Sequence, residues 1–136
     1  MKYLLDVNAL LALSFIEHQF HRRVATWVRI LAEEGTTELA TCSITELGLI
    51  RIVVRAPQYG FTVPQARSLL RRLKAASTLN FTFIADNHDI SHLPDWVSTP
   101  KQITDGHLAQ LARANGAILA TLDRKISGAF LIPTER

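Results

Sequence analysis

The sequence has one cysteine and no long apolar run, and both shortages limit what the protein can be. A lone Cys42 permits neither an intramolecular disulfide nor a cysteine-rich zinc site, so a reducing compartment fits best. No apolar stretch approaches the roughly 20 residues that span a bilayer, and Asp6 and Asn8 interrupt the N-terminal apolar run before it could act as a signal peptide. We therefore expect a cytoplasmic protein with no membrane segment.

Charge is neither scarce nor strongly one-sided, since 20% of the 136 residues are charged and 48% are hydrophobic. That balance excludes a disordered or collagen-like chain and predicts one folded core. The net charge of +3 mildly favours a polyanionic partner. Basic residues cluster within 22–23, 67–74 and 124–125, and we interpret most of them as solvated helix faces.

Short apolar segments alternate with helical patterns along the chain. Residues 3–6, 38–41, 81–85, 117–122 and 130–132 have the pattern of strands. Helices are predicted over 9–17, from 20 to a stop at Gly35, from Ser43, over 63–76, and over 104–115 with Gly116 as the C-terminal cap. Residues 86–101 are predicted to form a loop. The alternation predicts an α/β fold in a single domain, 1–136, with a mostly parallel sheet and helices on both faces.

Two aspartates follow predicted strands. Asp6 and Asp123 should therefore lie at the carboxyl ends of their strands, the edge where open α/β sheets bind ligands. Each also has a purely structural interpretation. Asp6, or Asn8, could cap the helix that follows, and Asp123 could be a turn residue.

Two further acids fall at predicted helix starts. Ser43 and Glu46 have the spacing of a capping box, but Glu46 also lies at helical spacing from Leu49 and Val53, which would turn it inward, where a carboxylate needs a partner or a metal. Asp105 lies in a first helical turn, where the helix dipole favours an acid whatever its function. Clustered carboxylates repel one another unless a cation compensates, so the four acids together predict a site for Mg²⁺ or Mn²⁺.

The motifs around these acids resemble those of the PIN-domain nucleases, and among them the VapC-type toxins of bacterial toxin–antitoxin pairs. The resemblance covers essentially the whole chain. It is carried by Leu5-Asp6-Val7-Asn8-Ala9-Leu10, by Thr45-Glu46-Leu47-Gly48 with Arg51 one turn further, by Ile103-Thr104-Asp105-Gly106-His107-Leu108, and by Ala120-Thr121-Leu122-Asp123.

The resemblance implies a PIN-like three-layer α/β/α sandwich and a catalytic metal site formed by Asp6, Glu46, Asp105 and Asp123. It implies Mg²⁺ as the cofactor, with Mn²⁺ able to substitute, and endonucleolytic cleavage of an RNA such as tRNA or rRNA. It also implies an antitoxin that inhibits the protein and a homodimer.

Three residues near these motifs have less direct roles. Asn8 and Thr104 fall where the family often has polar residues that support the metal ligands, so we expect that role for them. Gly106 and His107 depart from the family pattern of a small residue followed by an aromatic one. We expect Gly106 to loosen the start of its helix, and we interpret His107 as a supporting or surface residue rather than a metal ligand.

Two other function classes compete with the nuclease. A non-catalytic PIN-like module that binds RNA or protein would have no need of four clustered acids. A Mg²⁺-dependent phosphoacceptor domain would need an acceptor aspartate at a middle strand, where the chain offers Cys42 and Asp86. The other four histidines have no shared spacing suited to zinc, and the sequence does not decide whether Trp96 covers the core or meets a partner.

Overall fold

The computed structural model describes residues 1–76 and 80–134, and within them it has five strands and five α-helices. The strands are β1 (Lys2–Leu5), β2 (Glu38–Cys42), β3 (Phe81–Ile84), β4 (Ile118–Thr121) and β5 (Phe130–Leu131). The helices are α1 (Val7–Ser14), α2 (His21–Glu34), α3 (Ser43–Arg55), α4 (Val63–Ala76) and α5 (Ile103–Ala114). None of these helices is long and apolar enough to cross a membrane.

The strands form one parallel sheet in the order β3-β2-β1-β4-β5. The central strand, β1, pairs with β2 on one side and with β4 on the other. The chain therefore builds the sheet outward from β1 in one direction, then returns through α5 to build it in the other. In open parallel sheets such a switch leaves a crevice beyond the carboxyl ends of the two strands that flank it.

Buried side chains alternate between the two faces of the sheet. Leu5 and Leu39 belong to the core cluster that includes α1, α2, α3 and α4. Their neighbours Leu4 and Ala40 belong to a second cluster with α5. This period of two is what adjacent strand residues require when both faces are covered. The predicted three-layer α/β/α sandwich around a parallel sheet is confirmed.

The helix boundaries differ from the prediction mainly in α1. The sequence pattern placed this helix over 9–17, but it begins at Val7 because the Asp6 carboxylate caps it, and it ends at Ser14 because Phe15 is extended. The predicted stops at Gly35 and Gly116 are confirmed, since both glycines have positive φ. The predicted loop over 86–101 holds two short 3₁₀ turns, Ile90–His92 and Pro100–Gln102.

Candidate metal centre

Asp6 is a buried carboxylate at the end of the central strand, with 6% of its surface exposed. Its Oδ1 accepts a hydrogen bond from the Ala9 N–H at 2.8 Å, which caps α1. Its Oδ2 accepts one from the Thr121 hydroxyl at 2.6 Å. Burial raises the pKa of Asp6, and the Asp123 carboxylate adds to the increase, while the two hydrogen bonds oppose it. The capping interpretation is therefore correct for Asp6, and its second oxygen is held toward β4.

Asp105 and Asp123 lie at the same edge of the sheet as Asp6. Burial raises the pKa of the Asp105 carboxyl, and the charges of Asp6 and Asp123 raise it further. Asp123 is exposed and lies in a turn just after β4, where its Oδ1 accepts a hydrogen bond from the Lys125 N–H at 2.9 Å. Three of the four predicted acids are thus close enough to repel one another.

Glu46 is held by two donors in the first turn of α3. Its Oε2 accepts hydrogen bonds from the Thr41 hydroxyl at 2.6 Å and from Lys74 Nζ at 2.7 Å. The capping interpretation of Glu46 is wrong, because the residue before α3 is Cys42, and its capping box is made with Thr45. Glu46 is thereby released from capping, and its carboxylate forms a half-buried ion pair with α4.

Two close backbone approaches position these acids. A Cβ on Gly48 would lie 2.7 Å from Val7 Cγ2, so glycine lets α3 approach α1 directly beside Asp6. A Cβ on Gly106 would overlap Val97 Cγ2. Gly106 is buried in α5, next to Asp105. We expected it to loosen the start of this helix, but its packing indicates a different role. It allows the loop before α5 to pack tightly against the helix.

Asn8 and Thr104, the two predicted supporting residues, lie near the acids. No hydrogen bond described for residues 1–76 and 80–134 joins either of them to an acid. Asn8 lines a groove together with Asp123. Thr104 lines a smaller cavity with Asp86 and His107. The His107 ring is hydrogen-bonded to the carboxylate of Asp86, which is not one of the four predicted acids, at 2.5 Å. The interpretation of His107 as a supporting or surface residue stays a prediction. The role of Asn8 and Thr104 as metal-site supports stays a prediction.

The structure gives contacts for three other side chains whose surroundings the sequence did not indicate. His88 and His92, which we interpreted as ordinary loop residues, stack with their ring centroids 4.1 Å apart. Trp96 is half-buried and packs against the core cluster on the α5 face, so it covers the edge of the core.

The carboxylate oxygens of the four acids are of the type that binds a hard divalent cation. In this structure their hydrogen-bond and ion-pair partners are groups of the chain itself. Among residues 1–76 and 80–134, no three His, Cys, Asp or Glu side chains are arranged to hold one metal ion together. Asp6 and Asp123 instead accept hydrogen bonds, and Glu46 forms an ion pair with Lys74. A carboxylate oxygen that accepts one hydrogen bond keeps a second lone pair, and clustered carboxylates such as Asp6, Asp105 and Asp123 are what Mg²⁺ and Mn²⁺ bind. Glu46 is not among the acids whose charges act on this cluster.

Three residues of the site were missed at the level of the sequence. Thr121 and Thr41 are fully buried hydroxyl donors to Asp6 and Glu46, and Lys74 is the cation paired with Glu46. Thr121 is the last residue of β4 and Thr41 is the last but one of β2. That position is a usable signal, because a polar residue near the carboxyl end of a buried strand needs a partner. Lys74 carries no such signal, since it is one of several basic residues on α4.

Known proteins resemble this chain over nearly its whole length. A family model described as PIN domain matches residues 3–129. A protein of Mycobacterium tuberculosis named Ribonuclease VapC38 is 35% identical, over 98% of this chain and 91% of its own length. Another protein of that organism, Ribonuclease VapC29, is 34% identical over 98% of both chains.

The fold has a counterpart among solved structures. It is similar to the crystal structure of VapBC2 from Rickettsia felis bound to a DNA fragment from their promoter, with a TM-score of 0.62 over 96% of this chain and 97% of that chain. At 19% identity this likeness concerns the fold alone. With the family match and relatives above 30% identity, however, the comparisons show that the chain belongs to the PIN-domain family, in its VapC-type branch.

Proposed function

We propose that this protein is a Mg²⁺-dependent endoribonuclease and the toxin of a type II toxin–antitoxin pair. The observation that carries the proposal is the convergence of Asp6, Asp105 and Asp123 at the switch between β1 and β4, where burial and mutual repulsion raise the pKa of Asp105. Relatives named ribonucleases, at 34% and 35% identity, support the same reaction class. RNA is the substrate, and tRNA or rRNA is the target class.

The chain's own residues would hold the cation and the reacting phosphate in place. Asp6 is fixed on both oxygens by Ala9 and Thr121, so its carboxylate is presented without rotational freedom. Glu46 is oriented by hydrogen bonds from Thr41 and Lys74. When bound, Mg²⁺ supplies an activated water and neutralises charge that develops on the phosphodiester.

Lys74 has a role in the proposed reaction besides its ion pair with Glu46. It is within hydrogen-bond distance of Glu46, and its side chain is 29% exposed, so it can turn toward solvent. A cation next to the acids reduces repulsion between the site and an RNA phosphate. Lys74 therefore neutralises the charge of Glu46 until divalent ions bind the carboxylate and RNA binds the site.

An antitoxin is the expected protein partner, and α2 and α3 offer it apolar surface. Ile30 on α2 is 46% exposed and Leu47 on α3 is 61% exposed. Apolar side chains at these positions suit an amphipathic helix from a partner. Changing each to glutamate should weaken co-purification with the antitoxin, and normal capture of both variants would remove these helices from the interface.

A homodimer and a cytoplasmic location are further parts of the proposal. Sedimentation velocity tests the first, and cell fractionation tests the second.

A non-catalytic binding module is the second candidate, and one observation favours it. Among residues 1–76 and 80–134 no three acids are arranged to hold one metal ion, and Glu46 is paired with Lys74. Calorimetry with Mn²⁺ separates the two candidates. An enzyme should bind Mn²⁺ in a manner that depends on Glu46 and Asp105, and a binding module should not.

Cleavage of RNA is the direct test of the proposed activity. Purified wild-type protein is incubated with total cellular RNA, once in Mg²⁺ and once in EDTA. The Asp6→Asn variant is incubated with the same RNA in Mg²⁺. Asp95→Asn, a change of an exposed loop acid, is the matched control. New RNA ends should appear with the wild type and the control in Mg²⁺ and be absent in EDTA and in Asp6→Asn. Equal cleavage by Asp6→Asn would overturn the proposal.

A further inference from the structure

A groove of about 620 Å³ lies beside the acids, on the side of α1 and α2. Its walls come from the start of α1, from the segment between α1 and α2, and from the turn that follows β4. Asn8 and Asp123 both line it, so the groove adjoins one of the proposed metal ligands.

One wall of the groove is aromatic. Phe20, at the N-terminus of α2, is 38% exposed, and the His18 ring centroid lies 5.9 Å from its own. The Arg23 guanidinium lies 6.0 Å from the centre of the Phe20 ring. Arg23 is itself anchored, because it donates two hydrogen bonds to the Ile132 carbonyl. Phe20 is therefore an exposed ring held beside a fixed cation.

His18 is suited to the same wall as a neutral ring. Its Nδ1 accepts a hydrogen bond from the Phe20 N–H at 3.0 Å, which places the ring proton on Nε2. Burial lowers the pKa of His18, and the neighbouring His21 lowers it further. At neutral pH the residue thus offers an aromatic surface and one N–H donor.

The groove is also basic. Arg124 and Lys125 line it, and both are exposed. Their charges outnumber that of Asp123, which lines the same groove. Aromatic rings and exposed cations that line one groove suit a ligand that has a planar base and a phosphate, as each nucleotide of a single strand does.

We propose that this groove binds an unpaired nucleotide next to the scissile phosphate, with its base on Phe20 and His18 and its phosphate on Arg124 and Lys125. The inference rests on the proposed function and names the side chains that hold one nucleotide of the RNA substrate. A paired base cannot reach an aromatic ring in this way, since it is already stacked and hydrogen-bonded within its duplex. A protein segment in the groove is the alternative occupant.

Binding without cleavage tests the inference apart from the catalytic proposal. In the full-length Asp6→Asn background, a fluorescently labelled single-stranded 12-nucleotide RNA and its duplex are titrated by anisotropy. Phe20→Leu should weaken single-strand binding about tenfold, and Phe20→Trp should preserve it. Arg124→Gln with Lys125→Gln should weaken binding and reduce the salt slope by about 1.4. Arg29→Gln with Arg113→Gln, the same charge change at two exposed sites outside the groove, is the control.

Each outcome has a definite meaning. Weaker single-strand binding by the groove variants, with thermal unfolding unchanged, supports the inference even if the wild type proves unable to cleave RNA. Unchanged binding by Phe20→Leu, or duplex binding as tight as single-strand binding, overturns it. Normal RNA binding combined with lost capture of a co-expressed antitoxin also overturns it, because the groove would then bind protein.

Discussion

The Thr121 hydroxyl connects two of the candidate metal ligands. It donates a hydrogen bond to Asp6 Oδ2 at 2.6 Å and accepts one from the Asp123 N–H at 3.0 Å. One fully buried side chain at the end of β4 therefore orients the carboxylate that follows β1 and the turn that carries another. This geometry makes Thr121 a positioning residue for the proposed reaction.

Thr121→Val should reduce the rate of RNA cleavage about 10- to 100-fold, as loss of a supporting hydrogen bond at a metal ligand commonly does. Valine matches the shape of threonine but leaves Asp6 without one of its donors. Affinity for Mn²⁺, measured by calorimetry, should fall with the rate. Thr121→Ser keeps the hydroxyl and serves as the control. Normal Mn²⁺ affinity in the valine variant would show that Thr121 serves packing alone.

Asp105→Asn should stabilise the metal-free fold. The pKa of Asp105 is raised by burial and by two neighbouring acids, so the folded state binds this proton more tightly than the unfolded chain does. That contribution to stability is complete below the ordinary pKa of 3.8 and is lost as the pH rises through the raised pKa. At pH 7 in EDTA, the variant's Tm should therefore exceed that of the wild type by a few degrees.

The advantage of Asp105→Asn should shrink as the pH falls toward 3.8, where both proteins carry a neutral side chain. Thermal unfolding at several pH values measures it. Added Mn²⁺ should raise the Tm of the wild type more than that of the variant. A variant that is less stable than the wild type at pH 7 in EDTA would contradict the repulsion between these acids.

Lys74→Met should increase the affinity for Mn²⁺ several-fold. The change removes a positive charge 2.7 Å from Glu46 and frees that carboxylate for the cation. Stability should change by less than about 1 kcal/mol, because the pair is partly solvated. Arg71→Met, an equal loss of charge on the same helix, is the control for calorimetry. Equal Mn²⁺ affinity in the two variants would exclude competition between Lys74 and the metal.

Gly106→Ala should reduce the free energy of unfolding by about 1–3 kcal/mol, because its Cβ would overlap Val97. Urea unfolding measures the loss. Val97→Ala in the same chain should recover part of it, as expected for two residues that contact each other. Additive losses in the double variant would mean that the contact with Val97 is not the reason for glycine.

The fold and the positions of Asp6 and Asp123 were predictable because they depend on local pattern. Alternating strands and helices imply a parallel sheet, and residues that follow parallel strands meet at one edge. The comparisons confirm the PIN-domain resemblance drawn from the same motifs. The roles of the four acids as metal ligands stay predictions, which the variants above address.

The pairing of Glu46 was not predictable, because its partner lies 28 residues away on another helix. The cap of α3 was misplaced for a different reason. β2 extends through Cys42, so Ser43 falls inside the helix and the capping box moves to Thr45. Gly106 was misjudged because its fit against Val97 depends on how the preceding loop folds, and no periodicity encodes that contact.

The rate of RNA cleavage by single acid-to-amide variants tests the central claim most directly. Asp6→Asn, Glu46→Gln, Asp105→Asn and Asp123→Asn are compared with wild type and with Asp95→Asn, in Mg²⁺ and in EDTA, on RNA whose cleaved ends are mapped by sequencing. If the four acids form one metal centre, each of the four variants loses at least about 100-fold in rate, the control does not, and EDTA abolishes cleavage. Wild-type cleavage by Asp6→Asn, or cleavage that persists in EDTA, would contradict the account.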